Sequence, residues 1–169
     1  MKNVDTLETE RLVGRRVRPD DFDLMRRILQ DPLVAATLGG VRSDEEVRDF
    51  LARNLKQWDQ HGYGRWMWHS KKDGGFVGRG GLLNIELEGR EQIEVGYAIV
   101  PEFWNQGLAT EIARESIRIA LEELDMPILV CFTMPTNLAS RRVMEKAGFI
   151  YERDFVWQNV PHVLYWLKR

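Results

Sequence analysis

The sequence contains one cysteine, Cys131, so a disulfide within one chain is impossible. That excludes a disulfide-stapled secreted scaffold and predicts a reducing, cytoplasmic setting. Histidine is scarce as well. His61, His69 and His162 match no zinc-ligand spacing, so no metal is expected. Neither sign of charge dominates: 24 Lys and Arg face 26 Asp and Glu, for a net charge of -2. A dedicated nucleic-acid binder would be basic overall, and none is expected here. No apolar run approaches the roughly 20 residues of a membrane span, so no membrane partner is expected. Residues Met1 to Arg18 are charged and lack the apolar centre of a signal peptide. Long linkers, low-complexity tracts and internal repeats are also absent. What remains is 169 residues, 44% of them hydrophobic, which predicts one domain over 1–169 with a real core.

Apolar periodicity predicts alternating strands and helices. Arg11–Arg18 reads as a first strand. Asp20 is expected to cap a helix carrying Phe22, Met25, Ile28 and Leu29, and Asp31-Pro32 to end it. Ser43 and Glu46 have capping-box spacing ahead of a second helix, which closes at His61-Gly62. Gly64–Ser70, Phe76–Asn84 and Gln92–Ile99 follow as an antiparallel meander, turned at Asp73-Gly74 and Glu88-Gly89. A helix runs from Gln106 to about Leu124, and Ile128–Thr133 is the next strand. Cys131 sits in that apolar run as a buried structural thiol rather than a nucleophile. Asn137 starts a helix that stops at Gly148, and Phe149–Trp157 and His162–Leu167 finish the chain. The order β-α-α-β-β-β-α-β-α-β-β predicts a mixed α/β (α+β) sheet with helices on both faces. The crossover through the third long helix makes its two flanking strands parallel.

Two segments carry chemistry. Gln106-Gly107-Leu108-Ala109-Thr110-Glu111 joins an apolar strand to a helix. Free N–H groups and the positive end of the helix dipole suit an anion there, and Gly107 lets it approach. The segment lacks the Gly-Lys-Ser/Thr of a Walker loop and the three glycines of a dinucleotide fingerprint, so a general α/β nucleotide binder is a weak reading. The second segment runs from Asn137 to Phe149 through Ser140, Arg141, Met144, Lys146 and Gly148.

In this order and spacing the two segments resemble the GCN5-related N-acetyltransferase (GNAT) superfamily, with the RimJ/RimL-like branch the closer match. Thr9-Glu10-Arg11-Leu12 resembles that branch's opening strand, Gly78–Leu82 its glycine-containing third strand, and Val95–Glu111 its central motif, including Trp104. The resemblance implies a seven-stranded, mostly antiparallel sheet whose parallel strands four and five splay apart around acetyl-CoA as co-substrate. It implies that backbone groups of Ile99 and Val100 meet the pantetheine arm. It implies that the backbone of Gln106, Gly107, Leu108, Ala109 and Thr110 holds the pyrophosphate, and that Asn137 and Ser140 line the thioester end. Arg141 and Lys146 either meet the nucleotide phosphates or form a solvated helix face. Many members carry a tyrosine as acid for the leaving thiolate where this chain has Met144, so either Ser140 or a water beside it serves, or the thiolate leaves unprotonated.

The implied reaction is direct attack of an amine on the thioester. The acceptor is either a protein N-terminal α-amine or a small-molecule amine. Glu94 is the expected base, because alternation sets it opposite Ile93, Val95, Tyr97 and Ile99 and beside small Gly96 and Ala98. Asn84, Glu86 and Tyr97 stand in reserve. Most tryptophans are expected in the core, with Trp66 or Trp157 as candidate walls of an acceptor cleft. The alternative function is a non-catalytic acyl-CoA sensor on the same fold. A homodimer touching through Val160–Leu167 is a further expectation.

Overall fold

A computed structural model describes residues 4–169; Met1–Asn3, the start of the segment read above as lacking a signal peptide, lie outside them. Eight strands form one sheet in the order β1-β2-β3-β4-β5-β6-β8-β7. They are β1 Thr6–Glu8, β2 Leu12–Arg16, β3 Arg65–Ser70, β4 Phe76–Leu87, β5 Arg90–Ile99, β6 Ile128–Thr133, β7 Ile150–Trp157 and β8 Val160–Lys168. The expected seven strands are all present as β2–β8. The extra strand, β1, is three residues long and pairs Thr6 with Arg15 and Glu8 with Val13. So short a segment has no readable alternation of its own, and its pairing is what makes it a strand.

The helices are α1 Phe22–Leu29, α2 Pro32–Ala35, α3 Asp44–His61, α4 Leu108–Arg118 and α5 Leu138–Ala147. The capping box at α3 forms in both directions, with Glu46 N–H donating to Ser43 Oγ and Ser43 N–H to Glu46 Oε2. The expected cap of α1 shifts by one residue to Asp21, and its carboxylate does something else. It takes the Arg15 guanidinium at 2.5 and 2.8 Å and the Arg18 N–H at 2.7 Å, tying β2 to α1. Asp31-Pro32 ends α1 as expected and also begins α2, because the Asp31 carboxylate caps Leu33 and Val34.

Every neighbouring pair of strands is antiparallel except β5 and β6, whose one ladder pair is Glu94 with Val130. Beyond that pair the two strands separate, while β6 stays paired to β8 from Ile128 to Thr133. The sheet therefore opens at its centre, toward the C-terminal end of β5. Register and alternation sort the side chains into two faces. Arg65, Arg79, Glu94, Gly96 and Ala98 share one face, and Phe50 of α3 lies against it. Tyr97 and Ile99 point to the other face, where Ile112 of α4 packs so tightly that a Cβ on Gly80 would lie 2.5 Å from it. Strand β8 is interior, bonded to β6 and β7 on its two sides. Val160–Leu167 thus has no free edge, and the edge strand on this side of the sheet is β7.

Candidate active site

The site is built at the opening between β5 and β6. At one end stands the turn before α4. Gly107 caps this helix with φ 76 and no side-chain bond, a conformation that glycine adopts without the Cβ penalty. Glu111 N–H is the first to be bonded within the helix, to Gly107 C=O at 3.1 Å. The amides of Leu108, Ala109 and Thr110 form the first turn, the part of a helix whose N–H groups have no intrahelical partner. The turn is braced from the connection between β1 and β2. Arg11 donates to Gln106 C=O at 2.7 Å and to Glu111 Oε2 at 2.7 Å, and Thr9 Oγ donates to Glu111 Oε1 at 2.5 Å. Burial raises the Glu111 pKa, but the Thr9 and Arg11 hydrogen bonds outweigh it and the carboxyl is lowered overall. A lone carboxylate in this first turn would oppose an anionic ligand, and Arg11 offsets its charge.

Arg11→Ala is expected to weaken coenzyme A binding by about three- to tenfold, roughly 1 kcal/mol, because the brace and the offset are lost together. Titration calorimetry checks it; unchanged affinity would remove Arg11 from the cradle. The brace also has a pH signature. A carboxyl lowered in the fold stabilises it above its unfolded value and loses that contribution as pH falls through the folded value. The turn therefore loosens on the acid side.

In the gap itself, Val100 N–H is bonded to Val77 C=O at 2.9 Å, and Val100 C=O accepts from Phe103 N–H at 3.0 Å. Both backbone groups of Val100 are thereby used inside the protein. Antiparallel alternation then turns the backbone of Ile99 away from β4 and into the gap. Its carbonyl accepts the Trp104 indole N–H at 2.7 Å, which leaves the Ile99 N–H facing the opening. Of the two residues expected to meet pantetheine, Ile99 keeps a group to offer.

Across the gap, Asn137 caps α5 by accepting from Ser140 N–H at 3.1 Å. Ser140 Oγ lies 3.1 Å from the Tyr97 hydroxyl, which also donates to Ser140 C=O at 3.1 Å. Burial, reinforced by Cys131, pushes the Tyr97 phenol well above its ordinary value, so it keeps its proton. Met144, at the family's tyrosine position, is buried in the core. The phenol beside Ser140 comes from β5 instead of α5. Arg141 is committed to the Tyr165 hydroxyl and the Pro135 carbonyl. Burial also raises the Cys131 thiol well above its ordinary value, consistent with an inert structural cysteine.

On the opposite face of β5 lies Glu94. It is not a free strand glutamate: Oε2 takes Arg65 Nη2 at 2.9 Å, with the two side chains only 12% and 8% exposed. Oε1 stays beside Gly96, 3.3 Å from where a Cβ would be. Arg79 is 5% exposed, joins no ion pair among the described residues, and stacks on the Phe50 ring at 4.7 Å. Arg65 lies over the same ring at 5.6 Å. Neither arginine belongs to a local motif, and only the strand register brings them to Glu94. A usable sign is an arginine inside the buried strand Gly78-Arg79-Gly80-Gly81. On the β6 side, Phe132, Phe155, Trp157 and His162 form an aromatic group with centroids 5.1–6.5 Å apart. Trp157 thus lines this face, whereas Trp66 is fully buried with its indole bonded to Val4 C=O. The reserves Asn84 and Tyr97 serve other networks, Asn84 accepting from Gln57 and Tyr63.

No helix of the described residues is long and apolar enough to cross a membrane. A family model for the acetyltransferase (GNAT) domain matches residues 11–150. The Bacillus subtilis protein YkkB is 27% identical over 146 residues, covering 86% of this chain and 85% of that one. The crystal structure of an acetyltransferase from Agrobacterium tumefaciens superposes with a TM-score of 0.87 at 24% identity, covering 100% and 97% of the two chains. RimL, described as a ribosomal L7/L12 alpha-N-protein acetyltransferase in complex with coenzyme A, has a TM-score of 0.77 at 17% identity over 96% and 97%. The braced turn before α4, the opened parallel pair and this match over most of the chain agree: the protein belongs to the GNAT family and is an acetyltransferase.

Proposed function

We propose that residues 1–169 act as one acetyl-CoA-dependent N-acetyltransferase domain of the RimJ/RimL-like branch, moving an acetyl group to a primary amine by direct attack. What supports this reading is that β5, the strand bordering the opening, carries both the Ile99 N–H and Glu94 and leads through a short turn into the first-turn amides of α4. The amides of Leu108–Thr110 hold the pyrophosphate, and the Ile99 N–H donates to the thioester oxygen as negative charge develops. Glu94 Oε1 takes the proton of the attacking amine. For a lysine-like amine near pKa 10.4 that deprotonation costs about 4–5 kcal/mol at pH 7, and far less for a protein α-amine near 8. As the C–S bond breaks, Ser140 Oγ hands its proton to the sulfur and takes one back from solvent water, while the Tyr97 phenol stays protonated beside it. A protein N-terminus, as in the name of RimL, and a small-molecule amine are the two acceptor classes.

The testing experiment combines acetyl-CoA calorimetry with thiol release over peptide N-termini, polyamines and amino acids. Binding with release on one class is expected. Ser140→Ala should keep the binding and lower kcat by about 10- to 100-fold, at the low end of general-acid effects. Binding without any release would move the chain to the acyl-CoA sensor reading, and no binding would overturn both.

A further inference from the structure

The face of β5 that carries Glu94 holds more positive charge than its contacts use. Arg65 and Arg79 bring two guanidinium groups, and Glu94 brings one carboxylate, which is bonded to Arg65. Arg79 is left with the face of Phe50. Its Nε–H has no partner, and neither do Arg65 Nε–H and Trp166 Nε1–H. Register sets all three on this one face: Arg79 lies opposite Ala98, and Trp166 opposite Val130, the residue paired with Glu94. All three are donors. A buried donor without an acceptor costs free energy, and a buried guanidinium without a counter-ion costs more. Burial, and then the Arg65 charge, lower the Arg79 pKa well below its ordinary value, with Glu94 opposing. A cation–ring contact offsets only part of this. An oxygen-bearing anion beside Ala98 would offset the excess charge and give an acceptor to the Arg79 and Arg65 Nε–H groups, whose guanidinium planes lie over the same Phe50 ring, and an arginine fork suits a carboxylate.

We propose that the acceptor is a primary amine carrying a carboxylate, with the amine at Glu94, the carboxylate read by Arg79, and an apolar or aromatic body facing Phe132, Phe155 and Trp157. The assignment rests on the acetyltransferase reading above and narrows it to the amino-acid-like class. Phe50 of α3 sets the guanidinium plane and so acts as a positioning residue.

The test uses the coenzyme A complex of the whole chain and two shape-matched probes, benzoate and its neutral counterpart benzamide. Calorimetry should show benzoate binding at least tenfold tighter than benzamide. In Arg79→Met the two should bind within about twofold of each other, while Arg79→Lys keeps part of the preference. Coenzyme A affinity is expected to stay unchanged in both variants. Equal binding of the two probes to the wild-type complex overturns the proposal, and that comparison requires no variant to fold. A preference that survives in Arg79→Met overturns it too, leaving Arg79 as packing for Phe50. These failures differ from failure of the acetyltransferase reading, which would appear as loss of acetyl-CoA binding in the same wild-type sample. In turnover, 4-(aminomethyl)benzoate should exceed its amide in kcat/KM by at least tenfold, and the ratio should collapse in Arg79→Met.

Discussion

Glu94→Gln is expected to lower kcat/KM for the acceptor by about 10²- to 10⁴-fold, the usual range for a positioned general base. The shape is kept and the amide oxygen still accepts from Arg65, so coenzyme A affinity should hold. Charge is what changes: a neutral amide cannot take the ammonium proton. The pH profile separates this from a packing effect. As pH rises toward the acceptor's own pKa, free amine accumulates and the variant should recover much of the lost rate. A structural defect would stay flat with pH. Glu94→Ala is a poorer test, because it strips Arg65 of its counter-charge and a half-broken buried pair costs about 3–5 kcal/mol. A Glu94→Gln enzyme with wild-type kcat/KM would send the proton elsewhere and leave the Arg65–Glu94 pair as scaffolding.

Gly78→Ala is expected to be the most damaging single methyl in the sheet. The new Cβ would sit 2.2 Å from Ala98 C=O and 2.9 Å from Ile99 Cα. Both are backbone atoms of the neighbouring strand and cannot rotate away. The strands must separate at the rung that presents Ile99 to the gap and Arg79 to the acceptor face. Overpacking against backbone should cost about 3 kcal/mol or more, lowering Tm by roughly 6–12 °C for a chain of this size. Gly89→Ala is the control. Gly89 has φ 75 but nothing within 4 Å, so only the left-handed backbone preference is lost, about 1 kcal/mol. Thermal melts of the two variants should differ several-fold in Tm shift. Similar shifts would mean that β4 has slack to move away from β5.

The elements that the chain announces most plainly are those with local physics. Ser43 and Glu46 form their box because its bonds span three residues, and Gly148 ends α5 because its φ of 100 suits glycine. Period-two alternation alone sets Glu94 on the face opposite Tyr97 and Ile99. That pattern cannot report what lies across the strand, so Glu94 read as a lone base when Arg65, 29 residues earlier, already holds one of its oxygens. The Arg11–Glu111 brace was hidden for the same reason, its partners being 100 residues apart. The loss of a tyrosine at Met144 was legible, but the nearby phenol from Tyr97 was not, because Ser140 and Tyr97 meet only across the opening between β5 and α5.

Sequence by itself therefore determined the order of strands and helices, the glycine turn ahead of α4 at Gly107, the cap at Asn137 and the family resemblance that these carry. Each depends on dihedral preferences, side-chain period or hydrogen bonds over a few residues. Tertiary structure alone decided that β8 is interior, that Val100 is used up while Ile99 is free, and that Arg65, Arg79 and Glu94 share one buried face. Those outcomes are set by strand register and by the balance of charge after burial, and both come into being only when distant segments are brought together.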